Sequence, residues 1–546
     1  MSTMSRLIAR IARLPPAETY DVGVEKDLAI PMPDGVTLLA DHYFPRNLGP
    51  RPTVMTRSVY ADRTKGTWAI ELYAERGFHV LVVSGRGTLG SGGELNPFRQ
   101  EHDDGLAVLA WLRQQPWFTG VLGTAGASYL GYTQWAIARD AGSMLQAMST
   151  QLIGSDFRSF IYPGDAFALE TFQSWLAMVD AQERPLLRYL IGILTGARRR
   201  RQALWHLPLG TLDVATTGKR YPFWYDWLAH DRPDDPWWAL GDHSGSVAAV
   251  TAPNHLVGGW YDFMLPFLLK DFWALVAAGQ RPYLTIGPWL HTDAAASMMG
   301  VREALIWLRA HLLGDRRGLR EAPVRIFVMG ANVWRDLPGF PPAAVQLQSW
   351  YLQPGQGFAA VLPPDSAPDG YRFDPHDPTP SVGWAGRFVI QGHGAQDNRA
   401  VEARRDVLTY TSDPLERDTE IIGSVLAELF VRSSLEHTDF FVRLCDVAPS
   451  GKSLNVCDGL VRLFPGRPIA ETDGCRNVII ELWPAAYRFK RGHHIRVLLA
   501  SGSFPRWDRN LGSGESLATA TTMLLAEQQV YHDPAHPSAI VLPLIP

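Results

Sequence analysis

The sequence predicts an α/β protein: a mostly parallel, doubly wound sheet carries an inserted helical cap and is followed by an all-β domain of jelly-roll type. Three observations lead to this fold class. Short apolar runs alternate with helical patterns over 1–150 and again over 250–341, aromatic-rich helical stretches fill 151–249, and short β-rich runs occupy 342–546. Strands that alternate with helices indicate a parallel sheet with both faces covered, whereas many short strands without helices indicate a sandwich or jelly roll.

The strands and helices of the first domain can be placed individually. Helical spacing is found at 68–76 and 103–115. Strand patterns lie before, between and after these helices, at 36–43, 52–58, 79–84, 121–125, 254–258, 283–286 and 324–329. The gap between the fourth and fifth of these strands is the predicted cap. Because an insertion of this kind sits over the carboxyl ends of the strands, where ligands bind, we expect the cap to cover a site.

The last domain is predicted from six strand patterns separated by loops rich in Pro, Gly and Asp. They lie at 349–352, 426–431, 440–445, 477–482, 494–499 and 540–544. No helical pattern separates them, which is typical of a β-sandwich.

Composition excludes several classes of protein. The chain has 546 residues, 46% hydrophobic and 19% charged, with a formal net charge of −4. This is an ordinary globular composition that does not favour nucleic-acid binding. The three cysteines, Cys445, Cys457 and Cys475, form neither a disulfide framework nor a metal-ligand pattern, so we expect a reducing, cytoplasmic location with no metal and no cofactor. The sequence is compatible with a monomer and with a homo-oligomer.

No segment of the sequence has the length of a membrane span. The longest candidate, 190–194, ends at the arginine run 198–201. At the N-terminus, Leu7, Ile8, Ile11 and Leu14 share one helical face opposite Arg6, Arg10 and Arg13. This pattern favours a short helix that docks on the protein itself, and binding to a membrane surface is the alternative.

A candidate nucleophile stands at the end of one predicted strand. The stretch Gly126-Ala-Ser-Tyr-Leu-Gly131 joins that strand to a helix-like run and contains Ser128. A serine hydroxyl needs an exposed position on a sharp turn with small neighbours to act as a nucleophile. Gly126 meets this need two residues before the serine, but Leu130 occupies the usual small position after it. By itself the motif fits a non-catalytic glycine-rich turn equally well.

Two further side chains follow later strands in the order that an acyl-transfer triad requires. Asp262 ends the stretch Asn254-His-Leu-Val-Gly-Gly-Trp-Tyr-Asp, and His291 ends Tyr283-Leu-Thr-Ile-Gly-Pro-Trp-Leu-His. A base must accept the serine proton and an acid must orient that base, and in the α/β-hydrolase fold these follow in the order Ser, Asp, His. The sequence therefore predicts Ser128, His291 and Asp262 as a catalytic triad. Ser91, His230, His255 and the Asp242–His243 pair lack this placement.

The combination of motifs resembles the cocaine esterase-like branch of the X-prolyl dipeptidyl peptidase family. The similarity rests on Gly-x-Ser-Tyr-Leu-Gly with its displaced Gly131, on Gly-Trp-Tyr-Asp and on Gly-Pro-Trp-x-His. It continues into the last domain in the stretches 410–415, 438–444 and 504–510. The resemblance implies an α/β-hydrolase with a helical cap and a jelly roll. It also implies an oxyanion hole made by the backbone N–H of Tyr129 and the hydroxyl of Tyr60.

The substrate pocket is expected to be apolar. We expect Phe172 and Trp175 of the cap, with Trp260 and Phe263 beside Asp262, to line it. The related α-amino acid ester hydrolases carry acidic residues just after the catalytic aspartate, whereas Phe263, Met264 and Leu265 follow it here. An apolar stretch cannot repay the desolvation of an ammonium group, so an ester without a free α-amine is favoured.

The sequence leaves other activities open. A proline-specific peptidase or other amide hydrolase would need an acidic anchor for the substrate amine, for which Asp165, Glu170 and Asp180 are candidates. An acyltransferase would use the same triad. A catalytically idle or carbohydrate-binding protein that uses its jelly roll is the alternative from another class.

Overall fold

A computed structural model of the chain describes residues 3–65, 68–182, 198–383 and 393–546. Its first domain is built on a ten-stranded sheet with the order β1-β2-β4-β3-β5-β6-β7-β8-β9-β10. The strands are β1 (Val22–Pro31), β2 (Thr37–Pro45), β3 (Thr53–Ser58), β4 (His79–Ser84), β5 (Leu122–Ala127), β6 (Leu145–Gln151), β7 (Asn254–Tyr261), β8 (Tyr283–Leu290), β9 (Val324–Val328) and β10 (Val333–Leu337).

The centre of this sheet is parallel. Every neighbouring pair from β4 through β3 to β9 runs parallel, and only β1, β2 and β10 are antiparallel additions at the two edges. The carboxyl ends of the parallel strands therefore meet along one edge. β1, β6 and β10 were not predicted from the sequence. The predicted fold class is confirmed, with a parallel sheet as the basis of the first domain.

Helices cover both faces of this sheet. The helices of the chain include α1 (Thr3–Ile11), α2 (Asp62–Lys65), α3 (Trp68–Glu75), α4 (Glu101–Leu112), α5 (Tyr129–Ala138), α6 (Phe157–Ile161), α7 (Leu169–Gln182), α8 (Leu212–Thr217), α9 (Pro222–Ala229), α10 (Leu265–Ala277), α11 (Ala294–Leu312) and, in the last domain, α12 (Arg399–Glu402). One core packs α4, α5 and α10 against the sheet, and a second packs α3 and α11 on the opposite face. This two-sided cover explains the near-continuous apolar strands.

In its described residues the cap contains α6 to α9, a further helical stretch at 198–203 and short 3₁₀ turns. Its aromatic residues form one cluster in which Phe223, Trp224 and Trp227 are almost fully buried. Most of the aromatic residues noted in the sequence thus form the core of the cap itself. The cluster also reaches Tyr129 and Phe263 of the first domain.

The last domain is all-β, as predicted, apart from α12. Its strands are β11 (Gln346–Gln353), β12 (Gly357–Ala359), β13 (Asp369–Phe373), β14 (Leu408–Thr411), β15 (Thr419–Ser433), β16 (Thr438–Val447), β17 (Ser453–Leu463), β18 (Ala470–Thr472), β19 (Cys475–Phe489), β20 (His494–Ala500), β21 (Ala526–Asp533), β22 (His536–Pro537) and β23 (Ala539–Ile545). Met329, just after β9, exchanges backbone hydrogen bonds with Ala486 and Arg488 of β19 at 2.9 Å. The sheet of the first domain is thereby tied directly to the sandwich.

The N-terminal helix α1 contacts the first domain on one side only. Ser5 donates a hydrogen bond to the Glu75 carboxylate at 2.6 Å, and the Arg6 guanidinium lies over the Tyr20 ring. Leu7 and Ile11 of its apolar face are 53% and 59% exposed. Within the described residues no helix combines the length and apolarity needed to cross a membrane. The apolar run 190–194 lies outside those residues.

Candidate active site

Ser128 occupies the sharp turn between β5 and α5. Its φ of 58° and ψ of −128° lie in a region that residues with a side chain rarely adopt. Its N–H donates to the Gln151 carbonyl at 2.9 Å, which holds the turn on the end of β6. Gly126 is needed beneath it because a Cβ at that position would lie 2.4 Å from Cβ of Leu130. The strained turn pushes the serine hydroxyl out of the sheet, as a nucleophile requires.

The displaced glycine of this motif has a packing reason. A Cβ on Gly131 would lie 2.4 Å from Cγ2 of Ile153 and 3.1 Å from the Gln151 carbonyl oxygen. The first turn of α5 therefore packs directly on the backbone that follows β6. The small residue is required three positions after Ser128, so Leu130 at the preceding position is compatible with the turn.

Asp262 and His291 follow the adjacent strands β7 and β8 at the same edge of the sheet. Each strand contains a glycine that Trp289 of β8 approaches closely. A Cβ on Gly259 would lie 2.4 Å from the Trp289 carbonyl oxygen, and one on Gly287 would lie 2.4 Å from the indole ring. The two glycines let the strand ends approach closely. The following side chains, Asp262 and His291, come together for this reason.

The three predicted triad side chains form a continuous hydrogen-bonded chain. His291 Nδ1 donates to Asp262 Oδ1 at 2.7 Å, and Ser128 Oγ donates to His291 Nε2 at 2.9 Å. Asp262 is 0% exposed, and its Oδ1 also accepts the Met264 N–H at 3.2 Å. A buried carboxylate beside Nδ1 favours the tautomer that leaves Nε2 free to accept the serine proton. The arrangement can therefore perform nucleophilic acyl transfer.

Two donors lie next to the serine. Tyr129 is the first residue of α5, where backbone N–H groups have no partner within the helix. Tyr60 follows β3, and its ring packs edge-on against Tyr129 with centroids 6.2 Å apart. The Tyr60 hydroxyl oxygen accepts the indole N–H of Trp175 at 3.0 Å. Tyr60, Tyr129 and Ser128 border the same small space.

A buried ion pair between Arg57 and Glu101 holds the side-chain hydroxyl of Tyr129. This contact was not predicted from the sequence. The Tyr129 hydroxyl donates to Glu101 Oε1 at 2.7 Å and accepts the Phe98 N–H at 3.0 Å. Arg57 approaches the same carboxylate at 3.1 Å. Burial raises the pKa of Glu101 while Arg57 opposes that shift, and burial with Glu101 raises the pKa of Tyr129 far above its usual value. The tyrosine stays protonated and fixed.

The space directly above Ser128 is small and aromatic. It measures about 20 Å³ and is bordered by the predicted residues Phe172, Trp175 and Phe263. The Phe263 ring packs at an angle of 39° against the His291 imidazole, with the ring centroids 4.5 Å apart. Other residues that border it were missed because they lie in loops or on a helix without a distinctive pattern: Phe98, Ile153, Thr171 and Met264.

The prediction for Trp260 is wrong. Its indole donates to the Phe327 carbonyl at 2.6 Å, and its ring packs against Phe340 at 6.2 Å. Successive side chains of a strand point to opposite faces, and Trp260 points from β7 into the core shared with the sandwich. Sequence distance to Asp262 could not reveal this direction.

A loop of the last domain holds the cap helix that carries Phe172 and Trp175. The Asp508 carboxylate accepts the Phe167 N–H at 2.8 Å, and the Trp507 indole donates to the Pro163 carbonyl at 3.1 Å. The Glu170 N–H donates to the Pro505 carbonyl at 3.0 Å. These bonds join the start of α7 to the sandwich. The placement of Phe172 and Trp175 over Ser128 thus depends on the last domain as well as on the cap.

A parallel sheet with a Ser–His–Asp arrangement at its carboxyl edge, a helical cap and a β-sandwich defines an α/β-hydrolase. Residues 34–293 match the X-Pro dipeptidyl-peptidase (S15 family), and residues 318–541 match the X-Pro dipeptidyl-peptidase C-terminal non-catalytic domain. The cocaine esterase of Rhodococcus sp. (strain MB1 Bresler) is 30% identical over 96% of this chain and 98% of its own. The chain belongs to the S15 family and is a serine hydrolase of that family.

Solved structures agree on the fold. An α-amino acid ester hydrolase superposes with a TM-score of 0.79 at 21% identity, covering 97% of this chain and 98% of that one. An aminopeptidase from a marine sediment Thaumarchaeota archaeon gives 0.78 at 20% identity with the same coverage of both chains. The described residues contain no cluster of His, Cys, Asp or Glu suited to a metal ion.

Proposed function

We propose that the chain is a serine esterase that cleaves carboxylic esters of apolar or aromatic acids through an acyl-enzyme on Ser128. His291 takes the serine proton as Oγ attacks the ester carbonyl carbon, and Asp262 stabilises the imidazolium that forms. His291 then protonates the departing alcohol. Water, deprotonated by the same histidine, attacks the acyl-enzyme and releases the acid. The Ser128–His291–Asp262 hydrogen-bonded chain is the observation that carries this proposal.

The oxyanion of each tetrahedral intermediate would bind between the Tyr129 N–H and the Tyr60 hydroxyl. Donors fixed in advance stabilise charge that appears only in the transition state. The Trp175 indole donates a hydrogen bond to the Tyr60 hydroxyl, and the Glu101 carboxylate accepts one from the Tyr129 hydroxyl. These bonds hold the two tyrosines in place. Because the space above Ser128 is about 20 Å³, close to that of one water molecule, an ester enters when cap side chains move aside.

Amide hydrolysis with recognition of a free amine is less well supported. Asp165 is paired with Arg158 and Arg467, and Asp180 accepts the Tyr221 hydroxyl and approaches Lys219 at 3.4 Å. Among the described residues, those bordering the space above Ser128 include no carboxylate. The name of the 30% identical relative also states an esterase. Transfer of the acyl group to an alcohol or amine would use the same intermediate and is distinguished by its product.

The test combines labelling with a substrate panel. Ser128→Ala is expected to abolish fluorophosphonate labelling and to lower kcat on p-nitrophenyl esters by about 10⁴-fold or more. Ser244→Ala, at an exposed serine of the cap, is the matched control. Xaa-Pro anilides and added nucleophiles in the same assays separate peptidase and transferase activity. A Ser128→Ala protein that keeps most of its activity would refute the proposal.

A further inference from the structure

A second, larger cavity shares Tyr60 with the aromatic space above Ser128. It measures about 280 Å³, lies between the central sheet and the helices α3 and α11, and is partly open to solvent. Val54, Val80 and Ala125 of the sheet form its floor. Ile70 and Tyr73 of α3 form one wall, and Val301 of α11 forms the other. We call it the α3–α11 cavity.

The α3–α11 cavity reaches the catalytic edge of the sheet. Tyr60 borders both it and the aromatic space, so the two volumes meet at this residue. Ala127 and Leu130, which flank the Ser128 turn, also line it, and both are only partly buried. At its other end, α11 begins three residues after His291. The cavity lining thus comes within one residue of Ser128 on one side and two residues on the other.

The lining determines the chemistry of a ligand. Protein interiors leave few voids larger than a water molecule, and a dry apolar cavity of about 150 Å³ already takes benzene. The polar groups at the rim offer no free charge to an ionic ligand. Gln151 Nε2 donates to Ser149 and to the Gly300 carbonyl, and Asp62 accepts the Ser58 hydroxyl at 2.5 Å. Burial raises the pKa of Asp62, which favours its neutral form.

We propose that the α3–α11 cavity binds an extended apolar chain of the ester while its carbonyl is held at Ser128. This inference rests on the proposed esterase function and names its substrate class: esters with a medium-length alkyl or aryl-alkyl chain. Each methylene moved from water into the cavity is expected to raise kcat/KM by about fourfold until the cavity is full. The chain can belong to the acid or to the alcohol, and two substrate series separate these sources.

The test reduces the volume of the cavity by placing a larger side chain on each of its two walls. Val301→Phe and Ala69→Leu place a larger side chain into it from α11 and from α3. Val276→Phe makes the same change on α10 at a residue that is 47% exposed, and serves as the control. kcat/KM is measured on p-nitrophenyl acetate, butyrate and octanoate, and on methyl, butyl and hexyl acetate. Fluorophosphonate titration gives the concentration of active enzyme in each preparation.

The expected result is a loss of at least tenfold on the longest esters of one series, with p-nitrophenyl acetate changed by less than twofold. A loss in the octanoate series assigns the cavity to the acid, and a loss in the hexyl series assigns it to the alcohol. If both variants lower long and short esters equally, or if the wild-type enzyme shows no gain with chain length, the inference is overturned. Hydrolysis of p-nitrophenyl acetate that persists in Ser128→Ala would instead contradict the proposed function.

Discussion

The hydroxyl of Tyr60 and the indole of Trp175 allow a sharp test of the oxyanion hole. Tyr60→Phe removes one donor while keeping the ring that packs on Tyr129. Loss of one such donor typically costs about 10²–10³ in kcat, or about 3–4 kcal/mol of transition-state stabilisation. Because the bond forms only in the transition state, kcat falls and KM stays nearly constant.

Trp175→Phe acts on the same bond indirectly. The indole N–H lies 3.0 Å from the Tyr60 oxygen and fixes the direction in which that hydroxyl donates. A neutral hydrogen bond contributes about 1 kcal/mol, so kcat is expected to fall by about fivefold in the wild-type background. In the Tyr60→Phe background no hydroxyl remains to be oriented, and the same substitution leaves kcat unchanged.

The assay is a double-mutant cycle on p-nitrophenyl butyrate, with kcat divided by the active-site concentration from fluorophosphonate titration. Trp237→Phe, a cap tryptophan that stacks on His230 at 4.9 Å, controls for the general loss of an indole from the cap. If Trp175→Phe lowers kcat by the same factor in both backgrounds, the indole acts through packing alone. That result would refute the link from Trp175 through Tyr60 to the oxyanion.

Two further predictions concern buried carboxylates. Asp262→Asn is expected to lower kcat by about 10⁴-fold, since an amide favours the wrong His291 tautomer; steady-state kinetics test this, and a loss below tenfold contradicts it. Burial raises the pKa of Asp271 to about 8, opposed by a hydrogen bond from Ser155. The folded state keeps a proton that the unfolded state loses above about pH 4, so stability falls as pH rises to 8. Urea unfolding should show Asp271→Asn gaining about 3 kcal/mol over wild type between pH 5 and 8; a pH-independent difference contradicts this.

The sequence was sufficient for most strands of the parallel sheet and for the placement of Ser128, Asp262 and His291 at strand ends. Alternating apolar runs and helical spacing are local, and they predicted β3, β4, α3 and α4 to within a few residues. Ser128, Asp262 and His291 stand at strand ends, and neighbouring parallel strands end at one edge. Their convergence follows from topology once the strands are recognised. The displaced Gly131 needed the structure, because its neighbour Ile153 is distant in sequence.

Other features depend on contacts that no local pattern encodes. The direction of a side chain on a buried strand is set by the layers packed on each face, and for this reason Trp260 of β7 was predicted at the wrong place. Phe263 lies beyond the strand, and it borders the space above Ser128 as predicted. Glu101 stands just before the helix predicted at 103–115 and belongs to no motif of the sequence, yet it holds the Tyr129 hydroxyl. The bond from Trp175 to Tyr60 spans 115 positions of the chain.

The sequence by itself thus determined the fold class and which side chains stand at the catalytic edge of the sheet, since both depend on periodicity and strand ends. The tertiary structure alone decided what surrounds them: the aromatic space closed by α7, the loop of the sandwich that holds this helix, and the α3–α11 cavity behind Tyr60. These features arise where separate layers meet. Their shape is fixed by side chains from distant segments that compete for the same space, a condition that appears only when the chain has folded.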